Sequence, residues 1–195
     1  MLRNDLLVWV DLELTSVRNA LSDKIIEIAV VLTDQNLTII EEGPDIVIHV
    51  DESSFDGIPE DAENIHEASG IKTEVAASSV HAREAEDRIL AFLKERIAPQ
   101  SSPLCGNSIH MDRHFLRLQM RSIDEYLHYR CVDVSTVKEL ARRWAPAVYE
   151  EAVRRKGESA HRAKDDIMAS IAELAFYRDA LFRPQFSSTS TQGTS

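Results

Sequence analysis

Two acidic side chains stand two residues apart in the stretch LVWVDLELTS, residues 7–16. The apolar residues before them predict a strand, in which side chains at positions i and i+2 point to the same face. Asp11 and Glu13 would therefore lie side by side at the end of a buried strand. Two carboxylates this close repel each other unless a positive group lies between them. That group could be a bound metal ion, and the alternative is a buried Arg or Lys.

Two further acidic residues lie at the edges of predicted elements. Asp112 begins a helix after a short strand, and Asp166 falls in the first turn of the last predicted helix. Because acidic side chains in a first turn interact favourably with the helix dipole, each position taken alone also has an ordinary structural explanation. His161 precedes Asp166 by five residues. The usual pKa of an imidazole, about 6.5, suits proton transfer at neutral pH.

Strands in the first half of the chain are predicted to position the acidic pair. Apolar runs predict strands over 25–33 and 37–50, the second interrupted near Gly43–Pro44. Their tight connections favour antiparallel pairing with the opening strand. Helical spacing of apolar residues follows within 74–98.

The second half alternates short strands and helices. PLCG predicts a strand ending at Gly106, and YRCVDV predicts another over 129–134. A helical pattern follows each of them, with Ser135 predicted to cap the second, and a last helix is predicted over about 163–181. Three strands followed by this alternation indicate an α/β fold with a mixed sheet, in which ligands tend to bind off the strand ends.

Composition restricts the possible functions. The chain has 195 residues, of which 44% are hydrophobic and 28% charged, as in ordinary globular proteins. We expect a single domain over 1–184, with two small domains as the alternative, and a disordered polar tail over 185–195. The formal net charge of −11 argues against binding long nucleic acid through its phosphates. It leaves room for a short anionic substrate held by metal ions.

The chain carries no sign of export or of membrane insertion. No apolar run approaches the roughly 20 residues that span a bilayer, and MLRND leads straight into a strand. Cys105 and Cys131 lie in apolar segments without zinc-type spacing, so we expect reduced thiols. These features predict a cytoplasmic protein without membrane association.

Four segments together resemble the oligoribonuclease branch of the DEDDh 3′–5′ exonucleases: DLELT, GNSIHMD, HYRCVDVSTVKELARRW and HRAKDD. The resemblance covers residue 7 to about residue 184. The H-x-A-x-x-D spacing after a central Asp is specific to the superfamily, and VDVSTVKELARRW narrows the match to oligoribonuclease. The resemblance implies a ribonuclease H-like fold, with a mixed sheet that starts with three antiparallel strands and is flanked by helices.

The resemblance also assigns the chemistry. Asp11, Glu13, Asp112 and Asp166 match the four metal-binding acids, and His161 matches the general base. The implied cofactors are two Mg²⁺ or Mn²⁺ ions, roughly 3.5–4 Å apart, which with His161 activate the attacking water and stabilise the leaving 3′ oxygen. The implied reaction is 3′–5′ hydrolysis of short oligoribonucleotides, especially dinucleotides, to 5′-mononucleotides. It would complete RNA decay and extend to linear dinucleotides from cyclic dinucleotide turnover.

Positions that contact substrate follow from the same resemblance. Four of them match a cap for the 5′ phosphate: Ser108, Arg130, Ser135 and Thr136. An Arg fork and a helix N-terminus are both suited to bind an anion, although a salt bridge and a simple cap would explain them equally. The other positions match contacts to the nucleotide: Leu14, Thr15, Val17, His66 and Tyr129. Tyr129 is expected to come from the second subunit of a homodimer.

The sequence departs from the family pattern at a few positions. Leu14 and Ser16 stand where many members have Met and Gly, and Val17 replaces a leucine that wedges against the bases. Many relatives also have a tryptophan shortly before the H-x-A-S-G motif, whereas PEDAENIHEASG has none. We therefore assign no base-stacking residue there.

Two other functions remain open from the sequence. One is a general DEDDh exonuclease that acts on longer strands or on DNA, which would need a partner or a basic groove. The other is a ribonuclease H-like binding module without catalysis, against which the complete set of five catalytic positions argues. A preference for short or long substrates distinguishes an oligoribonuclease from a general exonuclease. Dependence of activity on metal distinguishes it from a binding module.

Overall fold

The computed structural model describes residues 2–155 and 161–182. Five strands form one sheet in the order β3-β2-β1-β4-β5, with the bounds β1 Leu7–Leu14, β2 Ile25–Thr33, β3 Ile39–Val47, β4 Pro103–Gly106 and β5 His128–Asp133. The first three strands pair antiparallel, whereas β4 is parallel to β1 and to β5. The predicted mixed sheet with its antiparallel start is confirmed. The predicted tail over 185–195 lies outside the described residues.

Helices lie on both faces of this sheet. After a short 3₁₀ turn at Glu52–Phe55, their bounds are α1 Glu60–Ser69, α2 Ile71–Ala77, α3 Ala82–Arg96, α4 His110–Gln119, α5 Arg121–Tyr126, α6 Val134–Trp144, α7 Pro146–Arg155 and α8 Ala163–Leu181. The helical pattern over 74–98 is interrupted because Ser78 has extended backbone and its hydroxyl donates to the Val47 carbonyl at 2.7 Å. None of the helices in the described ranges has the length and apolar character to cross a membrane.

The two faces of β1 belong to different cores. One face packs against α3, α4 and α5 through Val8, Val10 and Leu12. On the opposite face, Trp9 packs with residues of α6, α7 and α8. Because side chains alternate along a strand, Asp11 and Glu13 continue the row that begins with Trp9. The acidic pair therefore faces the α8 side of the sheet.

The predicted interruption near Gly43–Pro44 is a bulge. The register between β2 and β3 shifts at this point, but β3 continues to Val47. A Cβ atom at Gly43 would lie 2.7 Å from the Phe92 ring and 2.9 Å from the Val30 carbonyl oxygen. Only glycine fits this close approach, and the bulge keeps β3 attached along the sheet edge.

The parallel strands β1 and β4 place the site at the carboxyl edge of the sheet. In the register Trp9 lies opposite Cys105, and β4 ends one residue later at Gly106. A Cβ atom at Gly106 would lie 3.1 Å from the Val10 carbonyl oxygen, so glycine allows the end of β4 to approach β1. β1 runs on past β4 to Leu14, and its last residues project at the edge where ligands bind in such sheets.

Candidate active site

Three carboxylates converge at the carboxyl end of β1. One oxygen atom from each of Asp11, Glu13 and Asp166 lies within 4.8 Å of the others. The first two come from β1, and Asp166 lies in the first turn of α8. Elements from opposite ends of the chain thus place oxygen ligands around one point. Hard divalent cations prefer such ligands.

Asp112 reaches the same end of β1 from the first turn of α4. Its Oδ1 accepts a hydrogen bond from the Leu12 backbone N–H at 3.1 Å, and its side chain is buried. Its charge is close enough to contribute to raised pKa values of Asp11 and Glu13. Asp112 is therefore an electrostatic neighbour of the other carboxylates, although it does not belong to the group of three that converges within 4.8 Å.

Burial and repulsion from neighbouring carboxylates raise the pKa values of Asp11, Glu13 and Asp112. Burial is the largest cause for Asp11, whose pKa is raised well above its usual value, and neighbouring carboxylates add to it. Burial, followed by repulsion from Asp166, raises the pKa of Glu13 to about 8. Burial also raises the pKa of Asp112 to about 7. A cation that binds these groups near neutral pH must therefore displace protons.

His161 lies two residues before α8, close in sequence to Asp166. Its side chain is partly buried, and its backbone has a left-handed φ of 49°. Residues other than glycine rarely adopt this conformation, and it persists where the surroundings hold it in place, often at functional sites. The neighbouring Asp165 is exposed and lies outside the converging group, in agreement with its position off the motif spacing.

Glu27 is a further buried carboxylate beside this cluster, and the sequence motifs did not identify it. It lies opposite Glu13 in the register of β1 and β2 and accepts a hydrogen bond from Arg162 Nη2 at 2.7 Å. A single charged residue in the apolar run IIEIAVVL was the signal that could have revealed it. The sequence allowed an arginine as the partner of the acidic pair. Arg162 lies close enough to act on the pKa of Glu13, but it donates its hydrogen bonds to Glu27.

The end of β1 is fixed by contacts to neighbouring segments. His66 on α1 is buried, and its Nε2 lies 3.0 Å from the Leu14 carbonyl oxygen; burial lowers its pKa. Its Nδ1 is also buried and has no hydrogen-bond partner within the described chain. Thr15 is buried and exchanges two hydrogen bonds with Lys24 at 2.9 and 3.0 Å. Val17 is 63% exposed and open to contact from a ligand.

Ser108 and Ser135 meet where β4 and β5 pass into their helices. Their hydroxyl oxygens lie 3.0 Å apart, and Ser108 has a left-handed φ of 50°. Oδ1 of Asp133 accepts the backbone N–H groups of Ser108 at 3.0 Å and of Ser135 at 2.9 Å. The prediction of Ser135 as N-cap is wrong, because α6 begins at Val134 and the carboxylate of Asp133 caps it.

Asn107 connects this pair of serines to α8. Its Oδ1 accepts the Ser135 hydroxyl at 3.1 Å, and its Nδ2 donates to Ser170 at 2.9 Å and to Glu173 at 3.2 Å. Ser170 lies one turn after Asp166 on the same helix. The predicted phosphate cap and the acidic cluster are thus attached to one rigid element, a connection that no sequence motif indicated.

The edge strand β5 and the start of α6 expose the remaining residues that were predicted to contact substrate. Tyr129 is 71% exposed, and the guanidinium of the exposed Arg130 lies 5.6 Å from the centre of the Tyr129 ring. Beneath them, buried Arg113 donates to the carbonyl oxygens of His128 and Tyr129 at 2.9 and 3.0 Å. Thr136 is exposed in the first turn of α6. Side chains suited to phosphate are therefore exposed on β5 and at the start of α6.

Known proteins resemble this chain over nearly its whole length. The family model RNase_T, described as exonuclease, matches residues 8–174. An oligoribonuclease from Streptomyces avermitilis is 45% identical over 183 residues, which cover 93% of this chain and 90% of that protein. Oligoribonucleases from Halorhodospira halophila and Vibrio cholerae are 49% and 47% identical over 177 residues, 91% of this chain and 94% and 96% of those proteins.

Solved structures of exonuclease I share the fold at lower sequence identity. The zinc-bound form of an Escherichia coli exonuclease I complex with single-stranded DNA has a TM-score of 0.69 at 16% identity, covering 93% of this chain and 42% of that one. The same enzyme with a dA16 oligonucleotide has a TM-score of 0.67 at 18% identity, covering 90% and 41%. The chain spans about two fifths of the length of these structures. They confirm the ribonuclease H-like fold.

Proposed function

This chain belongs to the oligoribonuclease family of exonucleases, and from this premise we propose how it acts as a 3′–5′ exoribonuclease on short oligonucleotides. The observation that carries the mechanism is the convergence of Asp11, Glu13 and Asp166 within 4.8 Å. With Asp112, these residues would hold two Mg²⁺ or Mn²⁺ ions. The donor set fits, because it offers carboxylate oxygens to hard cations and contains no thiolate.

The residues that would surround the ions have separate roles in hydrolysis. When bound, two divalent ions supply positive charge that lowers the pKa of the attacking water and stabilises the leaving 3′ oxygen. A ring nitrogen of His161 takes the proton of that water as the general base. Asp11 and Glu13 keep a fixed spacing because they lie on one face of the central strand. α8 brings Asp166 to them from the other end of the chain, and His161 lies in the segment that directly precedes this helix.

We propose that Ser108, Arg130, Ser135 and Thr136 cap the 5′ phosphate of the substrate. The backbone N–H groups of Ser108 and Ser135 already bind Asp133, so the cap relies on hydroxyl groups and on the Arg130 fork. A phosphate held at a fixed distance from the acidic cluster limits the length of RNA between them. Dinucleotides, including linear products of cyclic dinucleotide turnover, would therefore be the preferred substrates.

The nucleotide itself would lie against the end of β1. Leu14 and Thr15 are held in place there, and Val17 exposes an apolar side chain that can contact a base. His66 would support this site through its contact to the Leu14 carbonyl oxygen. A net charge of −11 agrees with this mode of binding, because a substrate with few phosphates needs no basic groove.

A homodimer is also part of the proposal. Tyr129 is 71% exposed on the edge strand β5, and Trp144 is 76% exposed at the end of α6. Large exposed aromatic residues are typical of interfaces. In a dimer, Tyr129 of one subunit would contribute to the nucleotide site of the other. Mixing a Tyr129→Ala variant with a His161→Ala variant should restore activity, and the absence of restoration together with a monomeric mass would contradict the dimer.

We further propose that residues 1–184 form one exonuclease domain and that the protein acts in the cytoplasm. Support for the domain is the family match over residues 8–174. Support for the location is the function itself, since the terminal fragments of RNA decay arise where RNA is degraded. Limited proteolysis tests the domain, and fluorescence imaging of a tagged chain tests the location.

Substrate length is the direct test of the function. We expect a timed digest of 5′-labelled RNA to show rapid cleavage of a dinucleotide and slow cleavage of a twenty-mer, with no cleavage in EDTA. An Asp112→Ala variant serves as the inactive control. Faster cleavage of the twenty-mer would instead indicate a general exonuclease, and activity that is independent of Asp112 and of metal would contradict the mechanism.

A further inference from the structure

An ion network outside the metal-binding set joins three elements next to His161. The guanidinium of Arg162 donates to Glu27 on β2 from Nε at 3.1 Å and from Nη2 at 2.7 Å. It also donates to Glu74 on α2 from Nη1 at 2.7 Å and from Nη2 at 2.9 Å. Arg162 thus lies between two carboxylates and binds each of them with a pair of nitrogens.

The buried carboxylate of Glu27 fixes the segment at the start of α8. Its side chain is 1% exposed, and its Oε2 also accepts the backbone N–H of Ala163 at 3.0 Å. This N–H belongs to the first residue of α8. Both oxygens of Glu27 are therefore occupied by the segment that carries Arg162 and Ala163. A buried charge needs such partners, and removing one of them leaves the other uncompensated.

Arg162 directly follows His161, whose left-handed backbone must be held by its surroundings. We propose that Arg162 is a positioning residue that fixes the imidazole of His161 relative to Asp11 and Glu13. This inference rests on the proposed role of His161 as general base. Glu27 on β2 and Glu74 on α2 together restrict the position of Arg162. Because His161 is the preceding residue, its backbone is restricted as well.

The planar fork of arginine is essential to this arrangement. A lysine at position 162 keeps the charge but offers one nitrogen centre, which cannot donate in parallel pairs to two carboxylates. Glu74 also extends the network to α2, the helix that follows α1. On α1, His66 contacts the Leu14 carbonyl oxygen. Arg162 therefore connects the general base to the elements that border the proposed nucleotide site.

The test is Arg162→Lys in the full chain, with kcat and KM measured on a 5′-phosphorylated RNA dinucleotide. We expect kcat to fall about tenfold to a hundredfold, as for other groups that orient a reacting residue, and KM to change less than twofold. The matched control is Arg96→Lys. Arg96 makes a similar paired contact to Glu41, at 2.8 and 2.7 Å, with a similarly exposed side chain, but between α3 and β3.

A double-mutant cycle with His161→Ala distinguishes positioning from a general structural role. A residue that acts through His161 has no further effect once the imidazole is gone. Under single-turnover conditions we therefore expect His161→Ala and His161→Ala/Arg162→Lys to react at equal rates. An undiminished effect of Arg162→Lys in the His161→Ala background, or an unchanged kcat in the single variant, would overturn the proposal.

Glu74→Gln provides the same test if Arg162→Lys does not fold, because it retains the buried pair with Glu27. We expect a loss of about threefold in kcat that also disappears in the His161→Ala background. Equal losses in both backgrounds, or no loss in either, would contradict the proposal. An unmodified chain that fails to cleave dinucleotides would instead contradict the proposed function.

Discussion

The two ends of the proposed site differ in how their polar groups are satisfied. At the acidic end, Asp11, Glu13 and Asp166 bring like charges together against a buried strand, and the pKa values of Asp11 and Glu13 rise. At the capping end, Ser108 and Ser135 bind each other and share the carboxylate of Asp133. One end gains stability when it receives positive charge, and the other is already a balanced hydrogen-bond network.

This difference suggests a division of labour. Binding a cation at the acidic end relieves repulsion, so it should contribute both to catalysis and to the free energy of unfolding. Binding a phosphate at the capping end exchanges existing hydrogen bonds for new ones, so it should contribute mainly to the choice of substrate. The following predictions test whether catalysis and selectivity can be separated in this way.

Removing one charge from the acidic end should have the largest effect. We expect Glu13→Gln to lower kcat on a dinucleotide by roughly a thousandfold or more, because a lost metal ligand removes more stabilisation than a lost neutral donor. In EDTA at pH 8, the same variant should have a higher melting temperature than the unmodified chain. Calorimetry and a dinucleotide assay measure both quantities, and a destabilised variant would show that Glu13 contributes to the fold through other contacts.

Removing the proposed general base should have a slightly smaller effect that is independent of substrate length. We expect His161→Ala to lower the single-turnover rate by about a hundredfold to a thousandfold on both a dinucleotide and a pentanucleotide. The melting temperature should change little, since the imidazole is only partly buried. A loss confined to one of the two substrates would assign His161 to substrate binding.

At the capping end, Arg130→Ala should change selectivity. We expect kcat/KM to fall about tenfold to a hundredfold for a 5′-phosphorylated dinucleotide, because a charge-assisted hydrogen bond is lost, and much less for a longer strand. Arg88→Ala on α3, an exposed arginine paired with Glu84, is the matched control and should leave both values unchanged. A uniform loss for all lengths would refute the capping role.

The smallest expected effect is the change in stability of the metal-free chain with pH. The pKa of Glu13 is raised to about 8 and that of Asp112 to about 7, so the folded state holds protons that the unfolded chain releases near pH 4. Stability should therefore fall as pH rises from about 5 to 8. We expect a melting temperature in EDTA at least about 2 °C lower at pH 8 than at pH 5.5. Mn²⁺ should reverse the difference, and a flat profile would contradict the raised pKa values of Glu13 and Asp112.

Strand and motif patterns predicted most of the fold and the acidic end. β1 and β2 were evident as apolar runs, and alternation along β1 placed Asp11 and Glu13 on one face. His161 and Asp166 could be identified because both belong to a local sequence motif at the start of α8. Such features depend on periodicity over a few residues, which a single sequence displays directly.

The contacts that hold the site together could not be predicted in the same way. Glu27 and Arg162 are 135 positions apart, and Asn107 meets Ser170 across 63 positions. No local periodicity encodes such pairs. The N-cap of α6 was assigned to Ser135 for a related reason, since a serine and an aspartate both suit a cap and only the backbone decides between them.

The position of β1 in the middle of the sheet has a consequence for motion. A strand that pairs with the buried strand β2 along its whole length exchanges those amide hydrogens only when the sheet opens, whereas elements at the periphery open locally. The amides of Asp11 and Glu13 should thus be among the last to take up deuterium, and two of the four acids of the proposed metal site would stay in place until the molecule denatures. Release of bound ions at urea concentrations below denaturation would then begin with α8, which carries Asp166, or α4, which carries Asp112, moving away from β1.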